Sequence, residues 1–183
     1  NTKDENDTIS KGETPENWNE SKRRQKDMDA AWTKKHNETH FGYKNHVNAD
    51  AKNKLIREYA VTSAEVHDSQ MLDAVLTPEN TSANVYADSA YSSEEIEESL
   101  AYNWYSSRIC RKGSRNKPLT KFQQKQNRKR SSVRSRIEHV FAQIELMYGG
   151  VLKCIGRLRA AAKIGLLNLV YNMKRFAYLE SLA

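Results

Sequence analysis

Asn84-Val85-Tyr86-Ala87-Asp88 decides the fold class, because this short apolar run ends in a carboxylate and a helix start follows it. The helix start is Ser92-Ser93-Glu94-Glu95, where a serine can cap the first turn and the acids favour the positive end of the helix dipole. Residues 105–110 have the composition of a further strand. Strands that alternate with helices predict an α/β fold, with a mixed sheet flanked by helices.

The residues before this unit predict a β-hairpin and a short helix. Phe41-Gly42-Tyr43-Lys44-Asn45-His46-Val47 alternates apolar and polar side chains, turn residues occupy 50–53, and residues 55–61 alternate again. Asp68-Ser69 is typical of a helix cap. The helix itself is predicted by apolar residues at helical spacing, which are Met71, Leu72, Val75 and Leu76.

The N-terminal stretch differs from the rest of the chain. Residues 1–26 are polar and charged, and Ile9 and Trp18 are their only large apolar side chains. Such a stretch cannot bury enough surface to fold alone, so we expect a polar loop or disordered segment there. The remaining residues, 27–183, have room for one domain with an ordinary core.

Two long helices are predicted near the C-terminus. The first has an apolar stripe and ends at Gly149-Gly150; the stripe consists of Val133, Ile137, Val140, Phe141, Ile144 and Met147. The second covers residues 157–179. Its apolar residues that face one way are Leu158, Ala162, Leu166, Leu169, Met173 and Phe176.

The composition suits a polyanionic partner. The 183 residues have a net charge of +7, and 29% of them are charged. DNA, RNA and an acidic membrane all fit this balance, and nucleic acid is the interpretation we favour. No stretch approaches the roughly 20 apolar residues that cross a bilayer, and a signal peptide core is absent, so we expect a cytoplasmic location.

Cysteines and histidines give no strong metal signal. Cys110 and Cys154 stand in unrelated contexts, which favours reduced thiols that pack in the fold. His36 and His40 flank Glu38, but the order differs from His-Glu-x-x-His, so a loop histidine pair is the better interpretation than zinc.

A basic segment covers residues 108–136, which contain no Asp or Glu. A solvated loop is one interpretation of such a charge run. We favour contact with a DNA backbone, because cations that neutralise phosphates release counterions. The residues expected to bind DNA are Arg111, Lys112, Arg115, Lys117, Arg128, Lys129, Arg130 and Arg136. The neighbouring Tyr102, Trp104 and Tyr105 could stack on bases, but core packing is expected for most of them.

Two carboxylates flank this segment. Asp88 follows the apolar run, and Glu138 lies beside the apolar stripe of the first long helix, one turn after Arg134. Asp88 could simply cap a turn, and Arg134 and Glu138 could form an ordinary ion pair. Two acids with a basic segment between them also suit metal-assisted phosphoryl transfer on a nucleic acid, in which carboxylate oxygens bind Mg²⁺.

Six segments together resemble the DDE transposases of bacterial insertion sequences, in group five of those families. They run in order over almost the whole chain: Asp29-Ala30-Ala31-Trp32-Thr33-Lys34-Lys35, Phe41-Gly42-Tyr43-Lys44-Asn45-His46, Val66-His67-Asp68-Ser69, Tyr86-Ala87-Asp88-Ser89-Ala90-Tyr91, Arg134-Ser135-Arg136-Ile137-Glu138-His139-Val140-Phe141 and Asn168-Leu169-Val170-Tyr171-Asn172-Met173.

The resemblance implies a ribonuclease-H-like catalytic domain with strand order three-two-one-four-five. In such a domain three acids bind Mg²⁺ or Mn²⁺, free a DNA 3′-hydroxyl at the ends of the element, and join it to double-stranded target DNA. Asp88 matches the second acid, Glu138 the third, and Arg134 the arginine one turn earlier. The family also has a tyrosine and a lysine where this chain has Ser131 and Glu145, so those two roles do not carry over.

The first acid of the family comes shortly before the stretch that matches residues 1–26. We therefore expect residues 27–183 to be a partial catalytic domain that lacks the first, central strand and its aspartate. Asp27, Asp29 and Asp68 are weak candidates to replace that acid. The alternatives are a catalytically inactive DNA-binding remnant of a transposase and, more remotely, a basic RNA-binding structural protein. By resemblance the partners are transposon-end and target DNA and a second copy in a synaptic dimer.

Overall fold

The computed structural model describes residues 2–35, 37–77, 82–150 and 152–182. It contains a three-stranded antiparallel sheet, a two-stranded parallel sheet and flanking helices, the longest of them at the C-terminus. The mixed α/β class that the sequence predicts is therefore confirmed. None of the helices in the described ranges has the length and apolarity to cross a membrane.

The predicted hairpin is confirmed as strands β2, Glu38–Ala49, and β3, Ile56–Ser63. The strands are antiparallel, with Val47 opposite Tyr59, and the chain reverses over residues 50–55. Strand β1, Ala31–Lys35, was not predicted and pairs with the first part of β2. The order in this sheet is β1-β2-β3.

The unit that decides the fold class is also confirmed. Strand β4, Asn84–Val85, pairs in parallel with β5, Ser106–Ser107. The pairing continues to the C-terminal side, where the Cys110 amide donates to the Ala87 carbonyl at 3.0 Å. Helix α4, Glu94–Tyr102, connects the two strands, and Ser93 caps it as the sequence predicts. The short helix α3, Leu72–Val75, packs near this unit, but the cap of the preceding 3-10 turn is His67 instead of Asp68 or Ser69.

The expectation of a loop over residues 1–26 is wrong, because two helices form there: α1, Lys3–Ser10, and α2, Glu20–Gln25. The reason is a small polar core. The Trp18 indole donates to the Glu5 carboxylate at 2.7 Å, and the Lys22 ammonium does so at 2.6 Å. Glu5 and Trp18 are both buried. A paired and hydrogen-bonded carboxylate can thus anchor helices that lack an apolar face.

The first long predicted helix is interrupted near its start, so that Val133 of its stripe lies on a separate helix. Helix α5, Lys121–Arg134, was not predicted, and α6, Arg136–Tyr148, follows after a break at Ser135. Gly149 ends α6 with φ 71, which favours glycine, as predicted. Most of the expected stripe packs inward: Val140 and Ile144 are buried, with Ile137 and Met147 against the same cluster. Helix α7, Arg157–Glu180, confirms the second prediction.

The apolar stripe of α7 faces solvent instead of the core. The helix buries Ala160, Ile164, Asn168 and Tyr171 against the hairpin. Polar contacts add to this packing: the Asn172 amide group bonds the backbone of Ile56 in both directions at 2.8 Å. Such backbone contacts cannot be read from hydrophobic periodicity, so the sequence predicted the shared stripe but not that it faces solvent.

Candidate functional site

Asp88 lies at the C-terminal end of β4 and is exposed. Its Oδ1 accepts a hydrogen bond from the Ala90 amide at 2.7 Å, so the carboxylate caps the 3-10 turn Ser89–Tyr91. No hydrogen bond or ion pair within the described ranges engages its Oδ2. One oxygen of Asp88 therefore caps the turn, while the other can still bind a ligand.

Glu138 lies in the first turn of α6, and its side chain is 60% exposed. Arg134, in the last turn of α5, holds it across the helix break: Arg134 Nη2 lies 2.9 Å from Glu138 Oε1. The break at Ser135 leaves this pair at i,i+4 spacing. The predicted pair is thus present, and the guanidinium fixes the direction of an otherwise mobile carboxylate.

Helix α5 packs against the strand end that leads to Asp88. The Cys110 thiol lies 3.5 Å from the Ser131 hydroxyl, and the Arg130 guanidinium donates to the Ile109 carbonyl. Cys110 in turn bonds Ala87, the residue before Asp88. A chain of contacts therefore connects the element of Asp88 with the helix of Arg134. The described residues show no direct contact between Asp88 and Glu138, and they form no group of three or more His, Cys, Asp or Glu that could hold a metal.

Another acid, Asp68, lies near Asp88. Burial raises the pKa of Tyr91 to about 12, and the charges of Asp68 and Asp88 both add to this rise. Asp68 itself is 3.6 Å from the Lys44 ammonium and 3.4 Å from His46 Nδ1. Burial lowers the pKa of His46, although the Asp68 carboxylate opposes that effect. Asp68 is therefore engaged with neighbours on β2.

Asp27 and Asp29 have structural roles at the start of α7. Asp27 is buried and accepts four hydrogen bonds, including one from the Tyr43 hydroxyl at 2.7 Å and one from the Gly156 amide at 2.9 Å. Asp29 accepts from the Arg157 amide at 2.9 Å. Burial and the Asp27 carboxylate raise the pKa of Tyr43 well above its usual range. Both acids thus cap α7, which argues against either as a substitute metal ligand.

The predicted DNA-binding residues lie on three connected elements. Arg111, Lys112, Arg115 and Lys117 lie in the loop before α5; Arg128, Lys129 and Arg130 lie on α5; Arg136 begins α6. All are exposed except the half-buried Arg130. Within the described ranges none of them forms an ion pair, so their charge is uncompensated by acids.

An open groove of about 590 Å³ lies between the end of β5 and the start of α5. Its cationic lining residues are Arg111, Lys112, Lys117 and Arg130. Glu97 is the acid in this lining, and it already accepts a hydrogen bond from the Ser107 hydroxyl at 2.8 Å. The groove is therefore strongly positive and suits an anionic group.

The structure places the three aromatic candidates differently from the prediction. Tyr105 packs against the core and donates to the Thr77 carbonyl at 2.7 Å, whereas Tyr102 and Trp104 are 85% and 90% exposed. The prediction that most of these three aromatic residues pack in the core is therefore wrong.

The histidine pair is described only in part. His36 lies outside the described residues, and His40 is exposed on β2, 3.9 Å from Glu38. Cys110 is buried, Cys154 is half-buried, and both are free thiols.

Sequence reasoning missed the role of one set of polar residues in the fold around the site. Asn45, Asn168 and Asn172 fix α7 on the hairpin through side-chain amides. A signal was available, since Asn168 and Asn172 are four residues apart on one helix face, a spacing that places both amides against the same neighbour.

A carboxylate at a strand end, a second one held by arginine on a helix, and a basic surface beside them are features expected of a protein that acts on a nucleic acid. The family model described as "Transposase DDE domain" matches residues 11–173. The chain is 32% identical, over 156 residues, to the transposase for insertion sequence element IS1106 from Neisseria meningitidis serogroup B. The chain therefore belongs to the DDE transposases of bacterial insertion sequences, as the resemblance predicts.

The match with the IS1106 transposase covers 76% of this chain and 54% of that protein. The chain thus spans about half the length of its curated relative. No solved structure matches the chain.

Proposed function

We propose that this chain forms part of the catalytic domain of an insertion-sequence transposase, which cleaves DNA at the ends of the element and joins them to target DNA. The observation that carries the proposal is the pairing of Glu138 on α6 with Arg134 of α5, the helix that is docked on the strand end of Asp88. Both carboxylates are exposed beside a basic surface. This combination suits phosphoryl transfer on a polyanion.

The chemistry of the two carboxylates suits a hard divalent cation, Mg²⁺ or Mn²⁺. Asp88 and Glu138 would hold it through carboxylate oxygens, and Asp88 Oδ2 and Glu138 Oε2 have no hydrogen-bond partner within the described ranges. Mg²⁺ commonly binds one or two carboxylates and takes water and substrate phosphate in its other positions. When bound, the ion supplies stabilisation of the negative charge that develops on the attacking and leaving oxygens.

Arg134 is a positioning residue in this proposal. Its guanidinium holds one oxygen of Glu138 and leaves the other for the metal. The Ala90 amide does the same for Asp88. Fixing both carboxylates before DNA arrives lowers the cost of ordering them in the transition state.

The basic residues of the segment 108–136 would bind the backbone of double-stranded DNA. Exposed lysines and arginines without acidic partners neutralise phosphates and release counterions. The groove beside Arg111 and Lys117 gives this surface a concave part in which a phosphate can contact several cations at once.

We also propose the ribonuclease-H-like class for the fold and a homodimer for the working assembly. The parallel β4-α4-β5 unit and the antiparallel hairpin are the parts that such a mixed sheet requires. In the family's own strand numbering, the sheet order is three-two-one-four-five. A central strand, which is the family's first and is not the β1 described here, would then join the two sheets.

An inactive DNA-binding module is the second candidate function. It is favoured by a specific observation: the described residues bring no three acids together. For this chain alone we therefore expect DNA binding with little or no strand transfer, and full chemistry only where a third acid completes the site.

The test compares nicking, metal binding and DNA binding in the same preparations. A duplex with terminal repeats is incubated with Mg²⁺ or Mn²⁺, Mn²⁺ binding is measured by calorimetry, and DNA binding is measured on filters across a salt titration. Asp88→Asn and Glu138→Gln should weaken Mn²⁺ binding by at least about tenfold, while Glu95→Gln, an exposed acid on α4, should not. Unchanged Mn²⁺ binding in both site variants would refute the proposed metal site, and DNA binding without nicking would support the module.

A further inference from the structure

Helix α7 exposes a continuous apolar stripe on the face opposite to the hairpin. Leu166, Leu169, Met173 and Phe176 are each more than half exposed, whereas Ile164, Asn168 and Tyr171 on the other face are buried. Monomeric proteins rarely leave a contiguous apolar patch of this kind in water. The stripe therefore indicates a surface that a further protein segment covers.

The spacing of the stripe is that of a seam between two helices. Ala162, Leu166, Leu169, Met173 and Phe176 follow one another at alternating steps of four and three residues. These are the a and d positions of a heptad, where apolar side chains insert between those of a facing helix. The occupant that this pattern fits is therefore an α-helix with matching apolar spacing.

The positions that flank the seam permit close approach. Val170, Ala177 and Leu179 are uncharged, so a facing helix would bury them without desolvating charge, whereas Gly165 and Asn172 already lie against Tyr59 and Ile56 of the hairpin. The remaining flanking residue, Lys163, is already turned away and donates to the Lys153 carbonyl at 2.6 Å.

The charges at the two ends of the seam specify the partner and its direction. Arg159 and Glu180, both exposed, occupy the next a positions beyond the apolar residues at the N-terminal and C-terminal ends of α7. A second α7 in antiparallel orientation brings the Arg159 of one copy near the Glu180 of the other. A parallel copy would place like charges together.

The size of the surface also suits a second copy. The seam and the exposed Leu158, Val170 and Leu182 together present several hundred Å² of apolar surface along a helix of about 36 Å. A standard stable interface buries about 800 Å² on each partner, and a two-fold dimer brings the same patch twice.

We propose that two copies of this chain associate through α7, packed antiparallel about a two-fold axis with the seam Ala162, Leu166, Leu169, Met173 and Phe176 at its centre. This deepens the homodimer of the proposed function and rests on that part of it. The chemistry at Asp88 and Glu138 is independent of it.

Sedimentation equilibrium of the 183-residue chain without DNA or metal tests the dimer. We expect a concentration-dependent dimer whose dissociation constant rises by at least about 30-fold in Leu169→Lys. The matched control is Leu146→Lys, an exposed leucine on α6 that is off the seam, which should leave the constant unchanged. Circular dichroism should show both variants folded, since neither side chain is buried. A wild-type chain that stays monomeric at submillimolar concentration, or a folded Leu169→Lys that still dimerises normally, would overturn the proposal.

A charge exchange tests the antiparallel direction. Arg159→Glu and Glu180→Arg should each weaken the dimer, and the double variant should restore it, because opposite charges then meet again. Failure of the double variant to recover would overturn the antiparallel arrangement. Because no DNA is present, failure here is distinguishable from loss of the proposed chemistry, which the nicking and Mn²⁺ measurements report.

Discussion

Asn45 on β2 and Asn168 on α7 exchange two hydrogen bonds, although they are 123 positions apart in the chain. Asn45 Nδ2 donates to Asn168 Oδ1 at 2.9 Å, and Asn168 Nδ2 donates back to Asn45 Oδ1 at 3.3 Å. Asn168 is only 2% exposed. This amide pair adds polar contacts to the apolar packing of Tyr171 against Ile56, and it helps to set which face of α7 lies on the hairpin.

Removing one amide of this pair should destabilise the fold. Asn168→Ala leaves the buried side of the Asn45 amide without its partner, and we expect a loss of about 1–3 kcal/mol in the free energy of unfolding by urea. The matched control is Asn116→Ala in the exposed loop before α5, which should change stability by less than about 0.5 kcal/mol. In a double-mutant cycle, additive losses for Asn45→Ala and Asn168→Ala would show that the two side chains do not interact.

Substitutions at Asp27 and Asp88 should distinguish a carboxylate that stabilises the fold from one that is proposed to bind metal. Asp27→Ala removes the acceptor of four hydrogen bonds, including the cap of α7, and should cost at least about 2 kcal/mol of unfolding free energy. Asp88→Ala removes one exposed turn cap and should cost less than about 1 kcal/mol. Chemical denaturation measures both. Equal losses in the two variants would contradict the assignment of Asp27 to structure and Asp88 to function.

Acid should undock the N-terminal helices. Hydrogen bonds from Lys22, then Trp18 and Thr2, lower the pKa of Glu5 from 4.5 to about 2. Because the folded pKa is depressed, the stabilisation is fully present above pH 4.5 and is lost as the pH falls through that value towards 2. Trp18 fluorescence reports this in a Trp32→Phe, Trp104→Phe background, which leaves one tryptophan.

The control for this titration is Glu5→Gln in the same background. Glutamine keeps the shape but does not titrate, so the docking should be weaker at neutral pH and nearly independent of pH between 5 and 2. A fluorescence transition in that range that persists in Glu5→Gln would assign it to another group.

Two neighbouring cations of α5 should behave differently towards DNA and towards stability. Lys129 is exposed, so Lys129→Ala should weaken duplex binding at every sequence and reduce the slope of log affinity against log salt by about 1, without changing stability. Arg130 also holds the Ile109 carbonyl, so Arg130→Ala should lower thermal stability as well. Filter binding and thermal melts give the two readouts. Lys174→Ala on α7 is the matched control, and an equal loss of DNA affinity there would indicate nonspecific charge binding.

Local patterns determined most of the secondary structure. Val85 and Ala87 alternate with exposed neighbours before Asp88, Ser93 precedes three acids at the start of α4, and Gly149 ends α6. Each of these signals acts within one turn or one strand, where neighbouring residues fix the backbone. Local pattern alone left Asp88 as a turn cap and Arg134 and Glu138 as an ion pair; their proposed catalytic roles come from the order of the family motifs.

Other elements could not be predicted because their stabilising partners are distant in sequence. Helices α1 and α2 have no apolar face, and they form where Glu5 accepts bonds from Trp18 and Lys22. The basic helix α5 has the composition of a solvated loop, but Asn127 and Arg130 bond the backbone of residues 109–111. Tertiary hydrogen bonds of this kind leave no periodic trace.

The amino-acid sequence by itself determined most of the elements and the family, and it predicts Asp88 and Glu138 as the acids of the site, because these inferences depend on local patterns and on motif order. Only the tertiary structure decided what each side chain is free to do. The carboxylate of Asp27 is fully engaged in hydrogen bonds that cap α7, whereas Asp88 keeps one oxygen without a partner among the described residues. The apolar stripe of α7 faces water because Asn168 and Tyr171 lie on the hairpin side of the helix. The physical reason is that a polar group's partners in three dimensions, rather than its chain neighbours, determine which of its atoms remain open to a ligand.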